Sequence, residues 1–386
     1  MDFLHSADWT FPVPIFYGPD RIKELPQICK GNSMLRPLIV TDRGSSDLYF
    51  IKNIQKDLSN AGLRSQVFSE ISPNPVDTEI INGKLIYENG DHDSIIAIGG
   101  GSGMDGGKAI SLIAGQNQSL WDFDYDKPII KKPNDFPSLI CIPTTAGTGA
   151  ETESTSMVTN SETEMKFCSW HPKQKPIAAI LDPNLTLSLP KNLTAWTGVD
   201  ALVHAIEAYS VDSLHSTADG MALEGLRLIG NSLSTAFNEP NNVSARGAML
   251  IGSCLAGISF LKGLGLVHAI SHMVGAVYNT QHGLTNAIIL PKILQFNHEE
   301  ILQKVNNIHF ALYSKEGSFN NLYSSICNLL NDLNIPDGLN AIGVDSNKVE
   351  ELALKASKDA AASTNPRHAS IQELKALIEQ TIVKAR

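Results

Sequence analysis

A chain of 386 residues with 42% hydrophobic content can bury more than one core, so two domains are expected rather than one. The formal charge of -10 argues against nucleic acid or an anionic membrane as a main partner, since both attract basic surfaces. Residues 1–18 hold no basic segment followed by an apolar run, which argues against a secretory signal, and the five cysteines are scattered without a CxxC pair. Reduced thiols in a cytoplasmic protein are expected, with no cysteine-built zinc site.

The first half alternates apolar runs of strand length with helical patterns. PLIVT at 37–41 reads as a strand, 47–61 as a helix, 66–69 as a strand and 76–88 as a helix. SIIAI at 94–98 is a buried strand, a helix begins near Met104, and SLICI at 138–142 is the next buried strand. A hairpin turn is expected over 160–164, and AAILD at 178–182 closes this half. Such alternation implies a parallel sheet covered by helices. After Pro190 helical periodicity dominates, with breaks expected at Pro240, Gly263, Gly283, Pro291 and Pro336. The boundary is placed near residue 190, between an α/β nucleotide-type domain (1–190) and an all-helical domain (191–386). Within the latter, 247–270 is nearly all apolar and long enough to span a bilayer, but Lys262, His268 and two glycines interrupt it. It reads as one buried helix, a glycine-rich break and the start of another.

The strand SIIAI runs into GGGSGMDGGK. Glycines let backbone approach a ligand closely, and the N-terminus of the following helix offers free N–H groups suited to a pyrophosphate. Gly101-x-Gly103-x-x-Gly106 matches the dinucleotide fingerprint, although it lies far from the first strand. A P-loop is excluded, because Ser102 and Ala109 stand where glycine and a hydroxyl residue are needed. A tight turn without ligand has the same local sequence. Asp42, just past PLIVT, is placed to accept from ribose hydroxyls and to repel a 2′-phosphate, favouring NAD over NADP. Its alternative role is a turn residue in TDRGSS. The loop PTTAGTGAET carries Thr144, Thr145 and Thr148 at the carboxyl end of a sheet strand, suited to a phosphate or a carboxamide.

Three segments of the helical half carry chemistry. Asp200 and His204 in GVDALVHAIEAY share one helical face, as do His268 and His272 in GLGLVHAISHMVG; His282 precedes a glycine in NTQHGLTN. One carboxylate and several imidazoles suit Fe(II), Zn(II), Co or Mn rather than a thiolate-seeking metal. Not every one of these groups needs to ligate, and one histidine is available for a proton path. Each pair alone also reads as an ordinary polar contact.

Together these segments resemble the iron-dependent alcohol dehydrogenase family. The matching pieces are GPDRIKELP, VTDRG, SPNP, GGGSGMDGGK, PTTAGTGAE, LDPNLTLSLP, TGVDALVHAIEAY, GLVHAISHMVGAVYNTQHGLTNAIILP and NPR, covering nearly the whole chain. The resemblance implies an N-terminal Rossmann-like α/β domain and an all-α C-terminal domain, the fold shared with dehydroquinate synthase, with the active site between them. It implies metal ligation by Asp200, His204, His268 and His282, with His272 a catalytic residue near the nicotinamide. Gly99, Gly100, Gly101, Ser102, Asp105 and Lys108 are implied to hold the pyrophosphate, and Thr144, Thr145 and Thr148 to contact the cofactor. Fe(II) is the expected metal, with Zn(II) the alternative, and a homodimer or larger assembly the expected state. One stretch, CSWHPKQKP with His171, departs from the family pattern, so no substrate is carried over beyond a small alcohol or aldehyde. A glycerol-type polyol dehydrogenase, a dehydroquinate synthase-like lyase and a non-catalytic metal- or nucleotide-binding paralogue are the competing readings.

Overall fold

The computed structural model describes residues 7–9 and 13–386. The chain forms two compact units: one runs to Thr145 and resumes over Ala150–Ser188, the other comprises Ala146–Gly149 and Leu189–Arg386.

The first unit is built on a seven-stranded sheet. Its strands are β1 (Ala7–Trp9), β2 (Ile15–Tyr17), β3 (Pro37–Asp42), β4 (Gln66–Ile71), β5 (Ser94–Gly99), β6 (Ser138–Pro143) and β9 (Ala178–Leu181). Its helices are α1 (Leu25–Gly31), α2 (Tyr49–Asn60), α3 (Asp77–Asn89) and α4 (Gly101–Ile113), while β7 (Thr155–Asn160) and β8 (Met165–Trp170) form a separate hairpin. The strand order is β1-β2-β9-β6-β5-β3-β4, all parallel except β1 against β2. Every residue of β5 is buried, as its unbroken apolar run requires for a strand covered on both faces. The two apolar layers differ: Val40, Ile95, Ala97 and Cys141 pack on one side, Ile39, Ile96, Ile98 and Ile142 on the other. The chain steps from β3 outward to β4 and returns past β3 to β5, so the carboxyl ends of β3 and β5 form a topological switch point, where open α/β sheets bind ligands. Asp42 and Gly99 end those two strands.

The β7–β8 turn lies where the polar run 160–164 places it. Asn160 Oδ1 accepts from the amides of Glu162 and Thr163 at 2.9 and 3.0 Å. The three-residue strands β1 and β2 were not foreseen, being too short to show alternation.

A buried charge distinguishes the segment after β6. Glu153 is 2% exposed, and burial pushes its carboxyl up to about 7 against the opposing pull of Lys108 and Lys175. Below pH 4 this group is neutral in folded and unfolded chains alike. As pH rises past its ordinary value of 4.5 the unfolded chain ionises while the folded one resists until about 7. Stability therefore falls across that window and the loss is complete above it. Glu153→Gln is expected to gain roughly 1–3 kcal/mol at pH 8 and nothing at pH 4, measured by urea unfolding. A gain equal at both pH values would refute the account.

The second unit is helical: α5 (Lys191–Ser210), α6 (Ser216–Asn238), α7 (Val243–Ser259), α8 (Leu266–Tyr278), α9 (His282–Tyr313), α10 (Phe319–Asp332), α11 (Val349–Ala356), α12 (Ala360–Ser363) and α13 (Ile371–Val383). One core joins α5 through α9 with the C-terminal helices. The stretch 247–270 divides as expected, into α7, a turn through Gly263 at φ +115° and the start of α8. Val243–Lys262 is long and apolar enough to cross a membrane, but 78% of that window is buried inside the unit. A break falls just before Gly283, over 279–281 between α8 and α9, whereas the one expected at Pro291 does not occur, because α9 runs through it. Proline costs a helix interior about 3 kcal/mol, yet Ile288, Ile289, Leu290, Ile293 and Leu294 around it are all buried. Their packing outweighs the lost hydrogen bond. The segment Ala146–Gly149 packs backbone to backbone on α7: a Cβ on Gly257 would stand 2.3 Å from the Gly149 carbonyl oxygen.

Candidate metal centre

Helices α5, α8 and the start of α9 each direct polar side chains into the core of the helical unit. Asp200 and His204 lie four residues apart on α5, one turn above the other, and both are buried. His268 comes from the first turn of α8, and His282 opens α9. One donor atom from each of these four residues lies within 4.8 Å of the others. Asp200 Oδ1 is 3.8 Å from His268 Nε2 and 3.5 Å from His282 Nε2, and the His204 and His268 rings stack at 4.4 Å.

His204 is in the state a cation needs. Burial pushes the His204 imidazole down to about 4, leaving it neutral with a lone pair at ordinary pH. Its Nδ1 is buried and makes no hydrogen bond of ordinary geometry, although the Gly147 backbone favours its charged form. His268 Nδ1 meets Glu207 Oε2 at 2.6 Å. When Glu207 is ionised it accepts from Nδ1, which leaves the Nε2 lone pair toward the cluster. Glu207 also accepts from the Val267 amide at 2.8 Å; burial pushes its carboxyl up, and the Val267 and Gly265 amides pull it back. A Cβ on Gly265 would meet Glu207 Oε1 and Asn365 Oδ1 at 2.7 Å, so glycine there lets both side chains approach the helix start. Asn365, the first residue of NPR, accepts from the Leu266 amide at 3.1 Å and anchors the start of α8. A carboxylate, three imidazoles and an outer carboxylate fixing one ring fit a divalent metal of the Fe(II) or Zn(II) type.

His272, one turn after His268, stacks on His282 at 5.5 Å, and its Nδ1 contacts Asp359 Oδ2 at 2.9 Å. Three members were not singled out from sequence. Glu207 lies seven residues after Asp200 and Asn286 four after His282, spacings that put each on its partner's helical face. Asp359, at the start of α12, carries no such signal.

In the α/β unit the phosphate-type residues gather at the switch point. Gly99 has φ +146°, and a Cβ there would stand 2.6 Å from Asp42 Oδ2. Gly100 and Gly101 begin α4 without a side-chain cap, which leaves its first amides for an anion. Ser102 Oγ donates to the Pro73 carbonyl at 2.6 Å. Asp42 accepts from the Ser45 amide and hydroxyl at 3.0 and 2.9 Å, making the turn its local sequence allowed. The Thr144 amide donates to the Gly99 carbonyl at 2.9 Å, Thr145 lies against Gly100, and the Thr145 hydroxyl is buried without a partner. Thr148 belongs to the segment that packs with the helical unit, and its hydroxyl is likewise buried without a partner. Asp105 lies in the second turn of α4, and Lys108, two turns in, is 1% exposed with its Nζ donating to the Thr155 carbonyl at 2.9 Å. A glycine turn, an uncapped helix start and an unpartnered hydroxyl fit a dinucleotide phosphate. His171 is taken up structurally, between Phe123 and Phe136 with Nε2 at 3.0 Å from the Ile130 carbonyl oxygen.

Together, the parallel sheet with its glycine turn and the four-donor helical centre define a metal-dependent dehydrogenase. The sequence matches the description "Iron-containing alcohol dehydrogenase" over residues 12–183 and "Fe-containing alcohol dehydrogenase family, C-terminal" over 194–382. This chain belongs to the iron-containing alcohol dehydrogenase family. It is 32% identical to the NAD-dependent methanol dehydrogenase of Bacillus methanolicus, over 97% of this chain and 100% of that one. It is 33% identical to the 1,3-propanediol dehydrogenase of Klebsiella pneumoniae, over 97% of this chain and 98% of the relative. The crystal structure of a 1,3-propanediol oxidoreductase superimposes with a TM-score of 0.90 at 31% identity, covering 98% of this chain and 100% of that one.

Proposed function

We propose that this protein is an NAD-linked dehydrogenase that interconverts a small alcohol and its aldehyde, with Fe(II) as its metal. The convergence of Asp200, His204, His268 and His282 within 4.8 Å carries this reading. A divalent ion held by those four supplies Lewis acidity toward the substrate oxygen, and a nicotinamide supplies or takes the hydride. The chain's own residues position and protect these groups. Asp200 contributes the negative charge, the three imidazoles offer nitrogen donors, and Glu207 locks the His268 ring. His272, held at Nδ1 by Asp359, carries the proton at Nε2 between substrate and solvent.

We assign the dinucleotide to residues 1–190 and the metal and catalysis to 191–386. The amides of Gly99, Gly100, Gly101 and Ser102 receive the pyrophosphate, Asp105 lies one turn further along α4, and Lys108 ties that helix to β7 through the Thr155 carbonyl. Thr144, Thr145 and Thr148 serve the cofactor, and Asp42 disfavours a 2′-phosphate, so NAD is chosen over NADP. Iron is chosen over zinc on the family match, because N/O donors accept both. A cytoplasmic location, read from the scattered cysteines, and a homodimer or larger assembly, implied by the family resemblance, complete the proposal.

The test is NADH consumption against a panel of short aldehydes, using chelated protein refilled with Fe(II) or Zn(II). Metal-dependent net oxidation of NADH is expected; no turnover with either metal would refute the assignment. His272→Ala should slow turnover about 10²–10⁴-fold while leaving metal content unchanged, as loss of a general acid–base group does. Metal loss in that variant would remove the role given to His272.

A further inference from the structure

One side chain outside the four-donor set reaches three of its members. Asn286 is fully buried on α9, and its Nδ2 lies 2.7 Å from Asp200 Oδ1, 3.1 Å from His282 Nε2 and 3.2 Å from His268 Nε2. An amide nitrogen has two protons, and a carboxylate oxygen and two ring nitrogens in their Nδ1–H tautomer can accept them. The carboxylate takes one proton and the two imidazoles share the other. The far end of the same amide, Oδ1, is buried with no hydrogen-bond partner. A buried amide is ordinarily satisfied at both ends; the hydrogen bonds of this one all run to the donor cluster.

We propose that Asn286 is a placeholder residue of the metal centre. Its NH2 brings partial positive charge to the atoms that would otherwise face a cation, and so keeps Asp200, His268 and His282 gathered in ligating positions while no ion is bound. A metal seating among them replaces those contacts. The inference rests on the metal-centre reading above and adds a role for a residue that donates no lone pair to the metal.

The experiment is thermal unfolding of chelated and Zn(II)- or Fe(II)-loaded protein, for the wild type, Asn286→Ala and Asn286→Asp, with bound metal counted by mass spectrometry. Asn286→Ala is expected to lower the Tm of the chelated form by about 2–6 °C and that of the loaded form by less than half as much. Asn286→Asp, which keeps the volume, sets a second carboxylate against Asp200 and should widen the metal-induced rise in Tm further. Equal losses in chelated and loaded forms of both variants would mean that Asn286 only packs, and would overturn the proposal. A wild-type Tm that does not move with metal would overturn the metal centre itself, an outcome distinct from the first.

Discussion

Replacing Asp200 with alanine is expected to strip the metal and abolish turnover, a loss beyond the roughly 10–100-fold typical of changes to a ligand's supporting partners. Asp200 is the one carboxylate among the four donors, and it is 2% exposed. Without it, three imidazoles remain to hold a doubly charged ion in a buried site. The Asn286 amide also loses its shortest contact, 2.7 Å to Asp200 Oδ1. Metal per chain after dialysis, measured by plasma mass spectrometry beside the NADH-linked rate, decides the matter. A variant that retains one ion per chain and normal turnover would place the centre elsewhere.

Glu207→Ala is expected to weaken metal retention about 10–100-fold and also to destabilise the fold by about 2–4 kcal/mol. His268 Nδ1 at 2.6 Å and the Val267 amide at 2.8 Å both depend on this carboxylate. Alanine leaves both unsatisfied and frees the His268 ring to turn or to change tautomer. Glu207→Gln keeps one acceptor oxygen and the volume, so it should recover part of both losses. Chelator competition reads the first effect and urea unfolding the second. Undiminished metal affinity in the alanine variant would show that the outer carboxylate does not orient the ring.

Much of this was legible in the residues. Strand β5 and the start of α4 were plain because the short run SIIAI meets three glycines, and such a run has few other ways to fold. The α/β half and the helical half were plain because the apolar period changes near Pro190. The pairing of Asp200 with His204 is a matter of helical spacing alone. The convergence of α5, α8 and α9 is not, since it depends on tertiary packing, and only the family resemblance pointed to it. Glu207 and Asn286 had readable spacing but look like ordinary polar residues until their neighbours are known. Asp359 stands 87 residues from His272, and nothing local announces the contact. At Pro291 the local rule gave way to burial on both sides of the proline.

The four residues Ala146–Gly149 fold with the helical half although both chain neighbours belong to the α/β half. The gene for this protein is therefore not modular at a single junction. A fragment beginning at Leu189 lacks the segment whose backbone covers Gly257, and it would bare the side of α7 that this segment shields. Chimeras that exchange helical halves between relatives should carry these four codons along with the C-terminal portion. Recombination at the obvious boundary alone would pair each loop with a helix it did not evolve against.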